Sequence, residues 1–208
     1  MDFFRYHGFI VCMGGALLCA ANIAKASEPL PASSTAHQLT IFKQQLGLHF
    51  PTNWRLAYSE QSGNMFSAEF VPQQQMLTSW SSLYCIQGFK GMAGGIEPEE
   101  FLDTFAANYQ QVCEGEMQYN KLGATQIEGK ESFSAMLTCS KMPHTHKGKS
   151  GQGVGMGEIG HYTVISGSED LFLLHQSARG EALLSPTTQL SLSIEPPVKM
   201  VSDIKTLR

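Results

Sequence analysis

Short runs in which apolar and polar residues alternate extend from residue 46 to residue 178 and predict an antiparallel β-sheet. Alternation with a period of two places every second side chain on one face of a strand. In the first run, Leu46, Leu48 and Phe50 share a face. Turn residues between neighbouring runs favour hairpins. The predicted strands are 46–50, 54–59, 65–71, 82–89, 117–122, 124–127, 132–140, 160–166 and 171–178.

Residues 98–113 have the pattern of an amphipathic helix. Pro98 suits the first turn, and Glu99 and Glu100 complement the positive end of the helix dipole. A second, terminal helix is predicted from the spacing of Val198, Val201, Ile204 and Leu207. The fold class is therefore α+β, with an antiparallel β-sheet flanked by helices.

The first 26 residues have the pattern of a secretory signal peptide. Arg5 is positive, an apolar stretch follows from Phe9 to Ala21, and Ala24-Lys25-Ala26 forms a small-x-small cleavage motif. The apolar stretch is shorter than the ~20 residues that span a bilayer. Cleavage before Ser27 is favoured over the alternative, a retained anchor, and predicts a periplasmic protein.

The remaining chain suits one domain. Residues 27–40 are rich in Pro, Ser, Thr and Ala and predict a flexible lead-in, and residues 41–208 form the predicted α+β domain. Loss of Arg5, Lys25 and Asp2 with residues 1–26 leaves 12 basic and 17 acidic side chains. No basic run is present to neutralise phosphates, so nucleic-acid binding is not expected.

Three cysteines follow the predicted cleavage site: Cys85, Cys113 and Cys139. Cys113 lies on the apolar stripe of the predicted helix, and Cys139 lies on the same strand face as Phe133 and Leu137. Both side chains should therefore enter one core, and an oxidising compartment would allow them to form a disulfide. The alternative is three buried thiols. Cys85 lacks a neighbouring base and is predicted to be a buried, unreactive thiol.

A histidine- and glycine-rich stretch, 143–157, suggests a ligand site. His144 and His146 would project to one side of an extended segment, and His161 or His175 would supply a third nitrogen for zinc or copper. Neither Asp nor Glu lies beside the first two histidines. The favoured interpretation is a long mobile hairpin loop that contacts a partner, and no metal or cofactor is assigned.

Motifs for catalysis and nucleotide binding are incomplete. Gly148-Lys149-Ser150 resembles the end of a phosphate-binding loop, but that motif needs glycine where Pro143 stands. No G-x-S-x-G or H-E-x-x-H pattern is present, and the acidic Glu97, Glu99 and Glu100 fit the start of a helix. No catalytic residue is assigned, and a non-enzymatic function is favoured.

Several segments, taken in order, together resemble one family of proteins. They are His49-Phe50-Pro51 with Trp54, Ala68–Pro72 with Trp80, the helix ending at Cys113, Leu137-Thr138-Cys139, and Val164–Gly167 before Asp170-Leu171-Phe172. The chain is similar, over about Leu46–Ala178, to small exported bacterial proteins with a Mog1/PsbP-like fold. That resemblance implies an antiparallel sheet flanked by helices and a binding or assembly function, and it transfers no site residues.

These observations favour a periplasmic, non-catalytic binding or accessory factor for an envelope assembly, whose partner is another envelope protein. The alternative is a small periplasmic hydrolase or a metal-binding protein that uses the region from His144 to His161.

Overall fold

The computed structural model describes residues 34–143, 156–180 and 201–206, all within the compact unit Ala32–Arg208. They form ten strands and one helix. In chain order these are β1 (Ser34–Ile41), β2 (Gln44–Pro51), β3 (Trp54–Ser62), β4 (Met65–Pro72), β5 (Ser82–Phe89), α1 (Pro98–Val112), β6 (Met117–Ile127), β7 (Lys130–Met142), β8 (Met156–Ser166), β9 (Leu171–Gly180) and β10 (Val201–Thr206).

Seven strands form one antiparallel sheet in the order β3-β4-β5-β9-β8-β7-β6. The alternation in the sequence identifies all seven, and the predicted α+β class with an antiparallel sheet is confirmed. The two short strands predicted at 117–122 and 124–127 are one strand, β6. A register shift between Lys121 and Gly123 interrupts the alternation there, because an extra residue in a bulge changes which side chains share a face.

A smaller sheet has the order β1-β2-β10 and corrects two predictions. Residues 34–40, predicted as part of a flexible lead-in, belong to β1. The strand was not predicted because the segment is rich in Ser and Thr. In the structure its residues alternate, and His37, Leu39 and Ile41 are more buried than the residues between them.

The predicted terminal helix is the second correction, because residues 201–206 form β10. This strand pairs with β2 through a register shift between Val201 and Asp203. The shift places Val201 opposite Leu48 and Ile204 opposite Leu46. Two residues that are three apart in β10 therefore pair with two residues that are two apart in β2. The sequence spacing alone resembled that of a helix.

The large sheet has a different cover on each face. Alternate residues of β9 show this: Phe172 and Leu174 pack with β2 residues in one buried cluster, whereas Leu171 and Leu173 pack with α1 residues in another. The helix side of the sheet is therefore the face that carries Leu171 and Leu173. The predicted helix is confirmed, and its buried residues are Pro98, Leu102, Ala106 and Tyr109.

A buried polar contact joins the two sheets. The Gln44 side chain, at the start of β2, donates to Asp170 Oδ2 at 3.0 Å, and Asp170 Oδ1 accepts from the Gly91 amide at 2.8 Å. Gln44 and Asp170 are almost fully buried. Polar groups removed from water need such partners, so this contact fixes the β8–β9 turn beside β2.

Candidate functional site

An open groove of about 530 Å³ lies between the start of α1 and the β6–β7 hairpin. It combines negative charge with apolar surface. Its walls include three carboxylates and three apolar side chains: Glu97, Glu99, Glu131, Pro98, Ala124 and Phe133.

The start of α1 supplies one wall of this groove. Glu97 is the N-cap residue with an extended backbone, and its carboxylate makes no capping hydrogen bond. Pro98 follows at the first helical turn, where its missing amide hydrogen has no cost. Glu99 and Glu100 occupy that turn, as the sequence predicted. The Glu97 side chain is exposed and remains available to a ligand.

The β6–β7 hairpin supplies the opposite wall. Glu128 and Gly129 connect the strands, with φ values of 50° and 72°. Two consecutive positive φ values are typical of the tight turn that matches strand twist. The resulting register places Gln126 opposite Glu131 and Ala124 opposite Phe133. A carboxylate and an aromatic ring thereby lie near each other on the hairpin.

The three groove carboxylates differ in their electrostatic surroundings. Lys121 Nζ lies 2.8 Å from Glu99 Oε1 and 2.8 Å from the Asp103 carboxylate. These contacts raise the pKa of Lys121, and the contact with Lys121 lowers the pKa of Asp103. Within the described ranges, the carboxylates of Glu97 and Glu131 have no hydrogen-bond or ion-pair partner. These two residues therefore give the groove its uncompensated negative charge.

A disulfide fixes the other end of α1 to the sheet. Cys113 and Cys139 form it, with their Cα atoms 5.8 Å apart, so the predicted pairing is confirmed. Cys139 is fully buried among the residues that pack against α1. The helix that forms one wall of the groove is thus covalently attached to β7.

A buried ion pair lies beneath α1. Arg179 Nε donates to Glu158 Oε2 at 2.6 Å, and both side chains are less than 10% exposed. The Tyr109 hydroxyl of α1 donates to Glu158 Oε1 at 3.3 Å. On its other side, the Arg179 guanidinium lies 4.1 Å from the centre of the Trp80 ring. The pair joins β8, β9, α1 and the segment before β5.

Cys85 and His175 occupy the same face of the sheet near this ion pair. Cys85 is the free cysteine of the described chain and is buried, as the sequence predicted. Burial, reinforced by the nearby Glu69 charge, raises the pKa of the Cys85 thiol to about 12. Burial and the Arg179 charge lower the pKa of His175 to about 4. The thiol and the imidazole are therefore both uncharged at neutral pH.

The predicted histidine site is described only in part, because His144 and His146 lie outside the described residues. His161 lies on β8, opposite Gln176 of β9, and is half-buried. Burial lowers its pKa. His175 pairs with Tyr162, one residue along β8, so His161 and His175 project to opposite faces. Among the described residues, no group of three or more His, Cys, Asp or Glu side chains is arranged to hold a metal ion.

Sequence reasoning did not find the groove. Glu97 was noted as part of a helix start, but Glu131 lies more than thirty residues later on a strand. No short-range spacing joins them. Their proximity depends on how α1 packs on β6 and β7, and only the tertiary structure shows this.

No protein-family model and no curated protein matches the chain. Solved structures similar to it include cyanobacterial PsbP from Synechocystis, at 10% identity over 75% of this chain and 86% of that chain, with a TM-score of 0.43. Another is the Ran-binding protein Mog1p from Saccharomyces cerevisiae, at 7% identity over 71% and 79%, with a TM-score of 0.45. Both likenesses concern the fold alone.

No helix in the described part of the chain is both long and apolar enough to cross a bilayer.

Proposed function

We propose that this chain is an exported, non-catalytic binding protein that supports an envelope assembly by contacting another envelope protein. The groove between α1 and the β6–β7 hairpin carries the proposal. Glu97 and Glu131 provide negative charge without an ion-pair partner in the described structure. Ala124 provides exposed apolar surface beside it, and the mostly buried Phe133 lies beneath.

A basic segment of the partner fits this combination. Lysine and arginine side chains carry a positive head on an apolar stem. The head would lie between Glu97 and Glu131, and the stem would lie along the exposed Ala124. Complementary charge of this kind gives specificity and accelerates association more than it increases affinity. A strong dependence of binding on salt follows, because exposed charges are screened.

Two further features support the proposed location. The pattern of residues 1–26 is that of a signal peptide. The Cys113–Cys139 disulfide suits an oxidising compartment such as the periplasm.

The first test reverses the charge of the groove. We expect Glu97→Lys/Glu131→Lys to reduce recovery of the partner at least about tenfold at low salt, because like charges then face each other. The immobilised variant is incubated with an envelope extract, and recovered proteins are quantified by mass spectrometry against the wild type. The matched control is Glu100→Lys/Glu116→Lys, which changes the net charge equally at two exposed positions outside the groove.

A partner is counted only if the control variant retains it and the groove variant loses it. The same proteins recovered in equal amounts by both variants would contradict a function of the groove. Recovery that does not change with added salt would contradict the electrostatic basis.

A second test concerns export. We expect the protein isolated from the source cell to be found in the periplasmic fraction and to begin at Ser27, since Ala24-Lys25-Ala26 is the predicted cleavage motif. N-terminal sequencing with fractionation measures both. Replacing Ala24 and Ala26 with larger residues should leave the precursor uncleaved. A cytoplasmic protein that begins at Met1 would overturn the proposed location.

A further inference from the structure

Cys85 and His175 form a buried pair that the proposed binding function does not use. They are directly opposite each other on the neighbouring strands β5 and β9. Directly opposed residues project to the same face, with Cβ atoms about 4.5–5.5 Å apart. The thiol and the imidazole therefore extend from adjacent positions on the helix side of the sheet.

The imidazole of His175 lacks the polar partners that a buried ring requires. Both ring nitrogens are shielded from solvent, and neither has a hydrogen-bond partner among the described residues. The imidazole and the Tyr162 ring meet edge to face, with centroids 4.8 Å apart. Buried polar groups normally have partners, so two unpartnered nitrogens indicate a place for a ligand.

The surroundings of Cys85 are mostly apolar. Cys85 packs in a cluster with Val71, Trp80 and Leu83. Its polar neighbours are Ser67 Oγ, 4.0 Å from the sulfur, and Glu69, which lies directly opposite on β4. A ligand held by this pair must therefore suit a thiol and an imidazole in a buried site between the charges of Glu69 and Arg179.

We propose that Cys85 and His175 bind one Cu(I) ion through the sulfur and one imidazole nitrogen. Thiolate is a soft ligand that favours Cu(I), and imidazole suits copper as well. On binding, the thiol releases its proton and an S–Cu bond forms, while the neutral imidazole donates a lone pair to the metal. Neither copper nor sulfur changes oxidation state.

Charge balance favours this ion over zinc. Cu(I) replaces the proton of the thiol, so binding adds no net charge to the buried site and has a small desolvation cost. Zn²⁺ on the same two ligands would add one positive charge to the buried site. A structural zinc site also needs four ligands, and the described residues contain no suitable group of three.

The test is anaerobic titration of the mature protein, with its disulfide intact, against a chromophoric Cu(I) chelator. We expect one equivalent of Cu(I) to be withdrawn from the chelator. Cys85→Ser and His175→Asn should each weaken binding by more than the roughly 10–100-fold that loss of an outer-shell partner costs. His161→Asn and the double variant His144→Asn/His146→Asn are the controls and should retain it.

X-ray absorption of the copper-loaded wild type gives a result that does not depend on the folding of variants. We expect a low-coordinate Cu(I) with one sulfur and one nitrogen ligand. If the protein does not withdraw Cu(I) from the chelator, the proposal is overturned. Coordination by histidine nitrogens alone, or binding lost only with His144 and His146, would overturn it as well.

Discussion

Replacing Arg179 with leucine should destabilise the protein by about 3–5 kcal/mol, because it leaves the Glu158 carboxylate buried without its cation. Both side chains are less than 10% exposed. The remaining recorded donor to Glu158 is the Tyr109 hydroxyl at 3.3 Å, which is too weak a replacement for a charged partner. The substitution also removes the guanidinium from the Trp80 ring. Urea denaturation of the variant and the wild type measures the difference.

The control for this prediction is an exposed ion pair. Lys121→Leu breaks contacts whose side chains are 41–51% exposed, and such pairs contribute about 0–1 kcal/mol. The double variant Glu158→Leu/Arg179→Leu should recover much of the stability lost in Arg179→Leu, since replacing a whole buried pair by apolar residues costs little. A loss below about 1 kcal/mol for Arg179→Leu would show that the pair is open to water, contrary to its burial.

Reduction of the Cys113–Cys139 disulfide should lower the free energy of unfolding by about 3 kcal/mol in the loop-entropy model. The bond closes a loop with a sequence separation of 26, so the oxidised unfolded chain has fewer conformations available to it. The oxidised and the reduced wild-type protein have the same side chains in the core, so the comparison isolates the effect of the S–S bond. The measurement is denaturant unfolding with and without a thiol reductant.

Cys85→Ala is the matched control for the cysteines. It removes one buried sulfur without releasing a loop, and we expect a loss of about 0.5–1.5 kcal/mol, similar to other deletions of one heavy atom. Equal stability of the oxidised and reduced wild type would contradict the stabilising contribution of the disulfide.

Local patterns in the sequence were sufficient for most of the sheet and for α1. Alternation locates β2 to β9, and the apolar stripe locates the helix and orients Cys113 toward the core. The pairing with Cys139 followed because both residues had been assigned to faces of regular elements. Such patterns fail where a bulge changes the period, as it does between Val201 and Asp203 in β10.

The candidate sites could not be predicted in the same way. Glu97 and Glu131, Glu158 and Arg179, and Cys85 and His175 are each brought together by tertiary packing or by pairing of strands. Burial of His175 depends on the whole sheet and on the helix above it. A period of two assigns a face to each residue, but it does not identify the neighbouring strand.

The position of β9 has a consequence for how the protein folds. Strands β3 to β5 form one meander and β6 to β8 form another, and β9 lies between them. Each meander pairs within itself over short stretches of chain. The edge of β5 that faces away from β4 pairs with β9, which comes after both meanders in the chain. Until β9 inserts, β5 has an open edge that another chain could occupy. Closing such a long loop is slow, so insertion of β9 is the step at which folding competes with aggregation.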